Sequence, residues 1–339
     1  MAGGVKIMPA WVDVSWQHFG LQALLVENEL VRLEILPDAG GKMYSLRYKP
    51  ADAELFWQNP RVPPAVYPPG TPYDDTWAGG WDDVFPNVRQ EEWRGMPLHD
   101  HGELWTQRWR WEVIEEGPAR AGVHLWCLAP LTPARLDKWV TLTAGEPIFR
   151  LRYRLSNMGP LPFHYMWNLH AAVRTRAGVR IDLPADTMVI DPWDTRRFDA
   201  TQLTYTWPTA RGRDGRPVDV SRALPPEAGV CDQHYVERLR EGWVALTDAE
   251  AGVGVGIRFD ERLFSTCWLF LTYGGWRGLE AIVVEPSTGW PSALSEACAA
   301  GRAPVLEAGQ QLETEVLLIA YAGLRSVTSI APDGTVRGE

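Results

Sequence analysis

The chain has 339 residues, 45% hydrophobic and 22% charged, which is enough apolar material for a sizeable core in one large domain or two smaller ones. A net charge of −10 argues against a nucleic-acid or anionic-membrane partner. No run approaches the ~18–20 apolar residues of a membrane span, the N-terminus does not read as a signal peptide, and Cys127, Cys231, Cys267 and Cys298 lack paired metal-ligand spacing, so buried free thiols in a cytoplasmic protein are expected.

In chain order, period-2 alternation dominates. LVRLEILP (30–37) reads as the first clear strand, closed by Pro37-Asp38. Residues 58–76 then form a long Pro-rich loop of the kind that is often functional. WAGGWDDVFPNV (77–88) follows, where Gly79-Gly80 permits a tight turn. Asp82, Asp83 and Asn87 offer polar groups among aromatics, which suits either a polyhydroxylated ligand or a capped polar loop. In PLHDHGELWTQRW (97–109), His99, His101 and Glu103 alternate. On a strand they would share a face and could hold a metal, although Gly102 weakens that strand and a single functional histidine fits better.

VHLWCLAP, WVTLTAG and IFRLRYRLSN continue the alternation; in the last, Phe149, Leu151, Tyr153 and Leu155 oppose Arg150, Arg152 and Arg154. In PFHYMWNLHAAV (162–173), His164, Asn168 and His170 would share one face of a regular strand. His170 is then either a hydrogen-bonded core histidine or a proton donor near neutral pH. A second long loop is expected at 208–229, and GWVALTD, VGVGIRF and VLLIAYAG supply later strands. AIVVEPSTGWP (281–291) reads as a buried strand ending at Glu285, with Pro286 opening a loop. A carboxylate beside a packed strand is held rigidly and partly desolvated, which tunes it toward general-base work. Residues 292–300 could form two helical turns stopped by Gly301. Many strands, few short helices, no internal repeat and no linker predict one all-β domain over 1–339, with sheets stacked as a sandwich. Tryptophan is in excess, with 18 copies, and Trp77, Trp81, Trp105, Trp276 and Trp290 sit in polar or Gly/Pro-rich stretches where rings could stack on sugars. Phosphate-cradling, dinucleotide-binding and serine-elbow motifs do not occur.

Four of these segments, in order, resemble the aldose 1-epimerase (galactose mutarotase-like) superfamily: LVENELVRLEILPDAGGKMYSL, GGWDDVFPNV with DHGELW, YMWNLH with IDLP, and VVEPSTGWP. The resemblance spans most of the chain. It implies a β-supersandwich of large, mostly antiparallel sheets and a cofactor-free sugar epimerase with a metal-free site. It implies Glu285 as general base and His170 as general acid. His101 would lie beside the sugar ring and support the charge that moves through it. Asp82, Asp83, Asn168, Asp232 and Trp268 complete the expected sugar-binding set. Two positions depart from the family: Ala171 follows His170 where many relatives have Pro, and Trp105 stands in register where an arginine is usual. The expected partner is a small-molecule sugar, with a homodimer left open. Rival readings are an epimerase of a phosphorylated or sulfonated sugar, needing a cationic patch from Arg89, Arg94, Arg108 or Arg196-Arg197, and a non-catalytic sugar-binding protein.

Overall fold

Alternation of apolar and polar side chains assembles two large sheets. In the strand Ile148–Asn157, Phe149, Leu151, Tyr153 and Leu155 are fully buried, while the intervening arginines reach the outer face. This strand pairs antiparallel with Ala134–Thr143 on one side and Gln311–Ala322 on the other, at the middle of an eight-stranded sheet. The computed structural model describes residues 9–193 and 195–339.

The second sheet has 14 strands. We number the six that carry the site β1 (Lys42–Tyr48), β2 (Trp81–Val84), β3 (Asn168–Val173), β4 (Val230–Leu239), β5 (Thr266–Tyr273) and β6 (Glu280–Ser287). They lie side by side in the order β1-β2-β3-β6-β5-β4, each pair antiparallel. Residues from both sheets, among them Leu46, Leu169, Val284, Val140, Leu151 and Leu318, share one buried apolar cluster. The period of two divides β6 cleanly: Ile282 and Val284 join that cluster, while Ala281 and Val283 join a separate one on the opposite face of the sheet. Glu285 belongs to that second face, away from the space between the sheets.

Three sequence expectations change. β6 runs on to Ser287, so Glu285 lies inside the strand and not at its end; Ser287 pairs with both Asn168 and Thr266, which carries the strand past Pro286. The segment 208–229 is not all loop, since Thr209–Arg211 and Pro217–Asp219 form a hairpin at the sheet's edge. The stretch 162–173 is not one strand: Phe163–His164 pairs with Val305–Leu306, and β3 begins afresh at Asn168. The Pro-rich loop ends in a single helical turn, α1 (Tyr73–Thr76). The expected late helix is α2 (Leu294–Ala299), with Gly301 just beyond it at φ 67°. Among the described residues, no helix is long and apolar enough to cross a membrane.

Candidate active site

Sheet register gathers the site. Lys42 on β1 faces Asp82 on β2, and Asp82 faces His170 on β3. The pairing of β3 with β6 sets His170 opposite Glu285, and Glu285 in turn faces Trp268 on β5 and Trp268 faces Tyr235 on β4. Directly opposed residues of antiparallel strands project from the same face with Cα atoms about 4.5–5.5 Å apart. One transverse row therefore carries an ion pair, an imidazole, a carboxylate and two aromatic rings.

His170, Glu285, Trp268 and Tyr235 of that row floor a cleft of about 930 Å³. Its wall comes from two loops. The loop before α1 brings Tyr73 and Trp77 over His170, with ring centroids at 5.5 and 5.8 Å. The loop after β2 brings His101, whose ring stacks on Tyr73 at 3.9 Å and 15° and meets His170 edge-on at 5.4 Å. His101 has a left-handed backbone (φ 56°) and so does Gly102 (φ 73°), where a Cβ would lie 2.2 Å from the Phe85 carbonyl oxygen. Only glycine fits there, and the tight turn aims His101 into the cleft.

Hydrogen bonds fix each group. The Tyr73 hydroxyl donates to Asp82 Oδ2 at 2.6 Å, and the Lys42 ammonium binds the same oxygen. Lys42 also donates to the Gly79 carbonyl at 3.0 Å. Asn168 Nδ2 donates to Glu285 Oε2 at 3.1 Å, and Asn168 Oδ1 accepts from Ser287 Oγ at 2.7 Å. Asp100 accepts from His101 Nδ1 at 2.8 Å and from the Tyr73 backbone N–H at 2.9 Å.

The electrostatics differ from group to group. Glu285 is 3% exposed, and burial raises its pKa to about 7 despite the Asn168 donor and the nearby His101 charge. Burial pushes His170 well below the ordinary imidazole value, and the positive charges of His101 and Lys42 push it the same way, so His170 is neutral. Burial opposes charge on His101 too, but Asp100, Asp74 and Glu285 outweigh it and hold this imidazole above its ordinary value. The ordinary order of the two groups is therefore inverted, and a proton shared by the pair rests on Glu285.

No family model matches the chain, and no curated protein matches it. Solved structures do. A galactose mutarotase-like protein from Clostridium acetobutylicum is 10% identical, with a TM-score of 0.66 over 94% of this chain and 100% of that one. A galactose mutarotase related enzyme from Lactobacillus acidophilus is 15% identical, with a TM-score of 0.58 over 89% of this chain and 98% of that one. The chain has the galactose mutarotase-like fold. It also matches a TPR-domain containing protein from Parabacteroides distasonis at 16% identity and TM-score 0.63; 88% of this chain is covered, but the chain spans only about half (47%) of that protein's length.

On this mutarotase-like sheet, Glu285, His170, His101 and Trp268 all line the cleft. Trp268 is held there by its Nε1–H, which donates to the Gly289 carbonyl at 3.0 Å. Four residues expected to touch sugar do not line it. Asp82 lies beneath Tyr73, bound to Lys42. Asp83 is the next residue of β2 and so points the other way, into the core, where Lys138 Nζ meets it at 2.9 Å. Asp232 is likewise on the far face of β4, paired with Arg197 at 2.7 Å. Asn168 is fully buried and orients Glu285. His164 is also remote, because the chain leaves the strand conformation between it and Asn168, and it contacts the Ala303 carbonyl instead.

The alternating trio His99, His101 and Glu103 does not form a metal set. Its backbone is a turn, and Glu103 is spent accepting from the Leu131 and Thr132 backbone N–H groups and the Thr132 hydroxyl. Asp74, Asp100 and His101 do bring three ligating atoms within 4.8 Å of one another, although Asp100 already serves His101 and Tyr73. Trp105 stays out of the cleft; its Nε1–H donates to the Asp100 carbonyl at 3.1 Å and its ring props Tyr73 edge-on at 5.1 Å.

Tyr73, Asp100, Tyr235 and Arg302 were not legible as site residues. The Pro-rich loop marked the neighbourhood of Tyr73, and Asp100 stands between two histidines, but nothing distinguishes Arg302 along the chain. Of the arginines proposed for a cationic patch, Arg89 lines the cleft. Arg197 is bound to Asp232, Arg94 lies over Trp93 and Arg108 lies near Asp38. Among the described lining residues, Arg89 and Arg302 face Asp74, Asp100, Asp191, Glu285 and Glu296, so carboxylates outnumber arginines by five to two.

Proposed function

We propose that this protein is a carbohydrate epimerase that interconverts the α and β anomers of a neutral aldose. The observation that carries this reading is the pair His170 and Glu285, opposed across two neighbouring strands, with burial raising the proton affinity of Glu285 and lowering that of His170. Glu285 and His170 hold one proton between them, and at rest it favours Glu285. Ring opening uses the other arrangement. Ionised Glu285 takes the proton of the C1 hydroxyl, protonated His170 gives one to the ring oxygen, and the C1–ring oxygen bond breaks to leave an aldehyde. The aldehyde rotates about C1–C2. Closure on the opposite face returns both protons with the roles reversed, so no proton is consumed and no cofactor is called for. The positive charge on His101, sustained by Asp100, favours ionised Glu285 and supports negative charge on the sugar oxygens. Each positioned acid or base contributes about 10²–10⁴-fold.

Arg89 lies 3.8 Å from Glu296 and carboxylates outnumber arginines among the described lining residues, which weighs against a phosphorylated or sulfonated sugar. The test is anomer exchange by NMR with a panel of free aldoses. Acceleration by the wild type, lost in a folded Glu285→Gln variant, is expected. Equal rates in the two proteins would refute the role given to Glu285.

A further inference from the structure

The cleft extends beyond the reacting row, and its outer part has a chemistry of its own. At about 930 Å³ it lies near the top of the ~300–1,000 Å³ range of pockets that enclose drug-sized ligands, and a single pyranose fills only a fraction of that space. Along β5, Phe270 follows Trp268 by two residues, which puts it on the same face and about 7 Å further along the strand. Trp276 stands edge-on to Phe270 at 5.4 Å and 89°, and Trp193 flanks it from the other side at 6.4 Å and 42°. Trp276 also meets Trp77 at 6.1 Å, so the aromatic surface is continuous with the wall above His170. Trp193 is 58% exposed. An indole left that open gains little for the fold and offers a face to a ligand.

Polar groups accompany the rings. Gln233 faces Phe270 across β4 and β5 and lines the cleft. Asp191, whose backbone N–H donates to the Gln233 carbonyl at 2.8 Å, lines it too. Polar side chains beside aromatic faces suit hydroxyls on the rim of a sugar ring whose C–H face lies on the aromatics. The surplus of carboxylates over arginines in the lining favours a neutral extension.

We propose that the substrate is a neutral reducing oligosaccharide: its reducing-end ring lies at Glu285, and its next ring stacks on the platform of Phe270, Trp276 and Trp193. This deepens the epimerase reading and rests on it for the placement of the reducing end.

The experiment measures kcat/KM for anomer exchange by NMR with neutral monosaccharides and with reducing disaccharides covering the common linkages. Wild type, Trp276→Ala and Trp193→Ala are compared, with calorimetric binding of the same sugars alongside. At least one disaccharide is expected to exceed its parent monosaccharide. Each variant is expected to reduce that disaccharide-to-monosaccharide ratio by about 3- to 10-fold, the size of a specific aromatic contact. Equal ratios in all three proteins would overturn the platform while leaving the epimerase reading intact. Oligosaccharide binding without turnover, weakened in both variants, would keep the platform and overturn the epimerase. Neither binding nor turnover of any sugar would overturn both.

Discussion

Asn168 offers the most direct handle on the reacting pair. Its Nδ2 donates to Glu285 Oε2 at 3.1 Å, which favours the ionised carboxylate against the burial that raises it to about 7. Asn168→Ala removes this donor. A hydrogen bond to a charged group contributes about 1.5–3 kcal/mol, and 1.36 kcal/mol corresponds to one pKa unit, so Glu285 should rise by about 1–2 units. The Ser287 hydroxyl keeps a second acceptor, the Gly289 carbonyl at 2.9 Å, so the loss is local. The assay is the pH dependence of kcat/KM for anomer exchange. Its alkaline limb, where the pair loses its single proton, should move to higher pH by about 1–2 units, and the plateau should fall about 10- to 100-fold because less of that proton sits on His170. Because two interacting groups titrate, the limb reports the pair and not Glu285 alone; a carboxyl-carbon NMR titration of Glu285 reads the residue directly. An unmoved alkaline limb in a folded variant would refute the assignment of Asn168 as the group that sets Glu285.

Glu285→Gln should stabilise the protein at alkaline pH. The folded value of about 7 exceeds the ordinary ~4.3, so the folded state holds a proton that the unfolded state has released in that interval. Stability therefore falls between about pH 4.3 and 7 and levels off above; the variant should gain about 4 kcal/mol at pH 8 and nothing at pH 4, read from denaturant titrations. Asp100→Asn should lower the proton affinity of His101, visible as a downward shift of its imidazole NMR titration; no shift would remove Asp100 as the source of that charge. Lys138→Met leaves buried Asp83 without its cation and should cost about 3–5 kcal/mol, whereas adding Asp83→Leu should restore most of it. Failure of the second change to restore stability would show that the pair does more than neutralise itself.

Much of the architecture follows from local pattern. A period of two puts Phe149, Leu151 and Tyr153 on one face whatever surrounds them, because the pleat alternates side chains regardless of partner. The same rule set Glu285 beside a packed apolar strand, and the glycine at 102 marked a tight turn where the backbone has no room for a side chain. Tertiary structure decided the rest. Asp82, Asp83 and Asp232 read as sugar ligands by residue type, yet Lys42, Lys138 and Arg197 claim them, all three partners arriving from tens of residues away and across faces that only sheet packing defines. Tyr73 enters the site because a loop without regular pattern folds back over β3. Proton affinity is the clearest case: His101 and His170 are the same residue type, and only burial and neighbouring charge, both set by the assembled sheet, raise the affinity of one and lower that of the other.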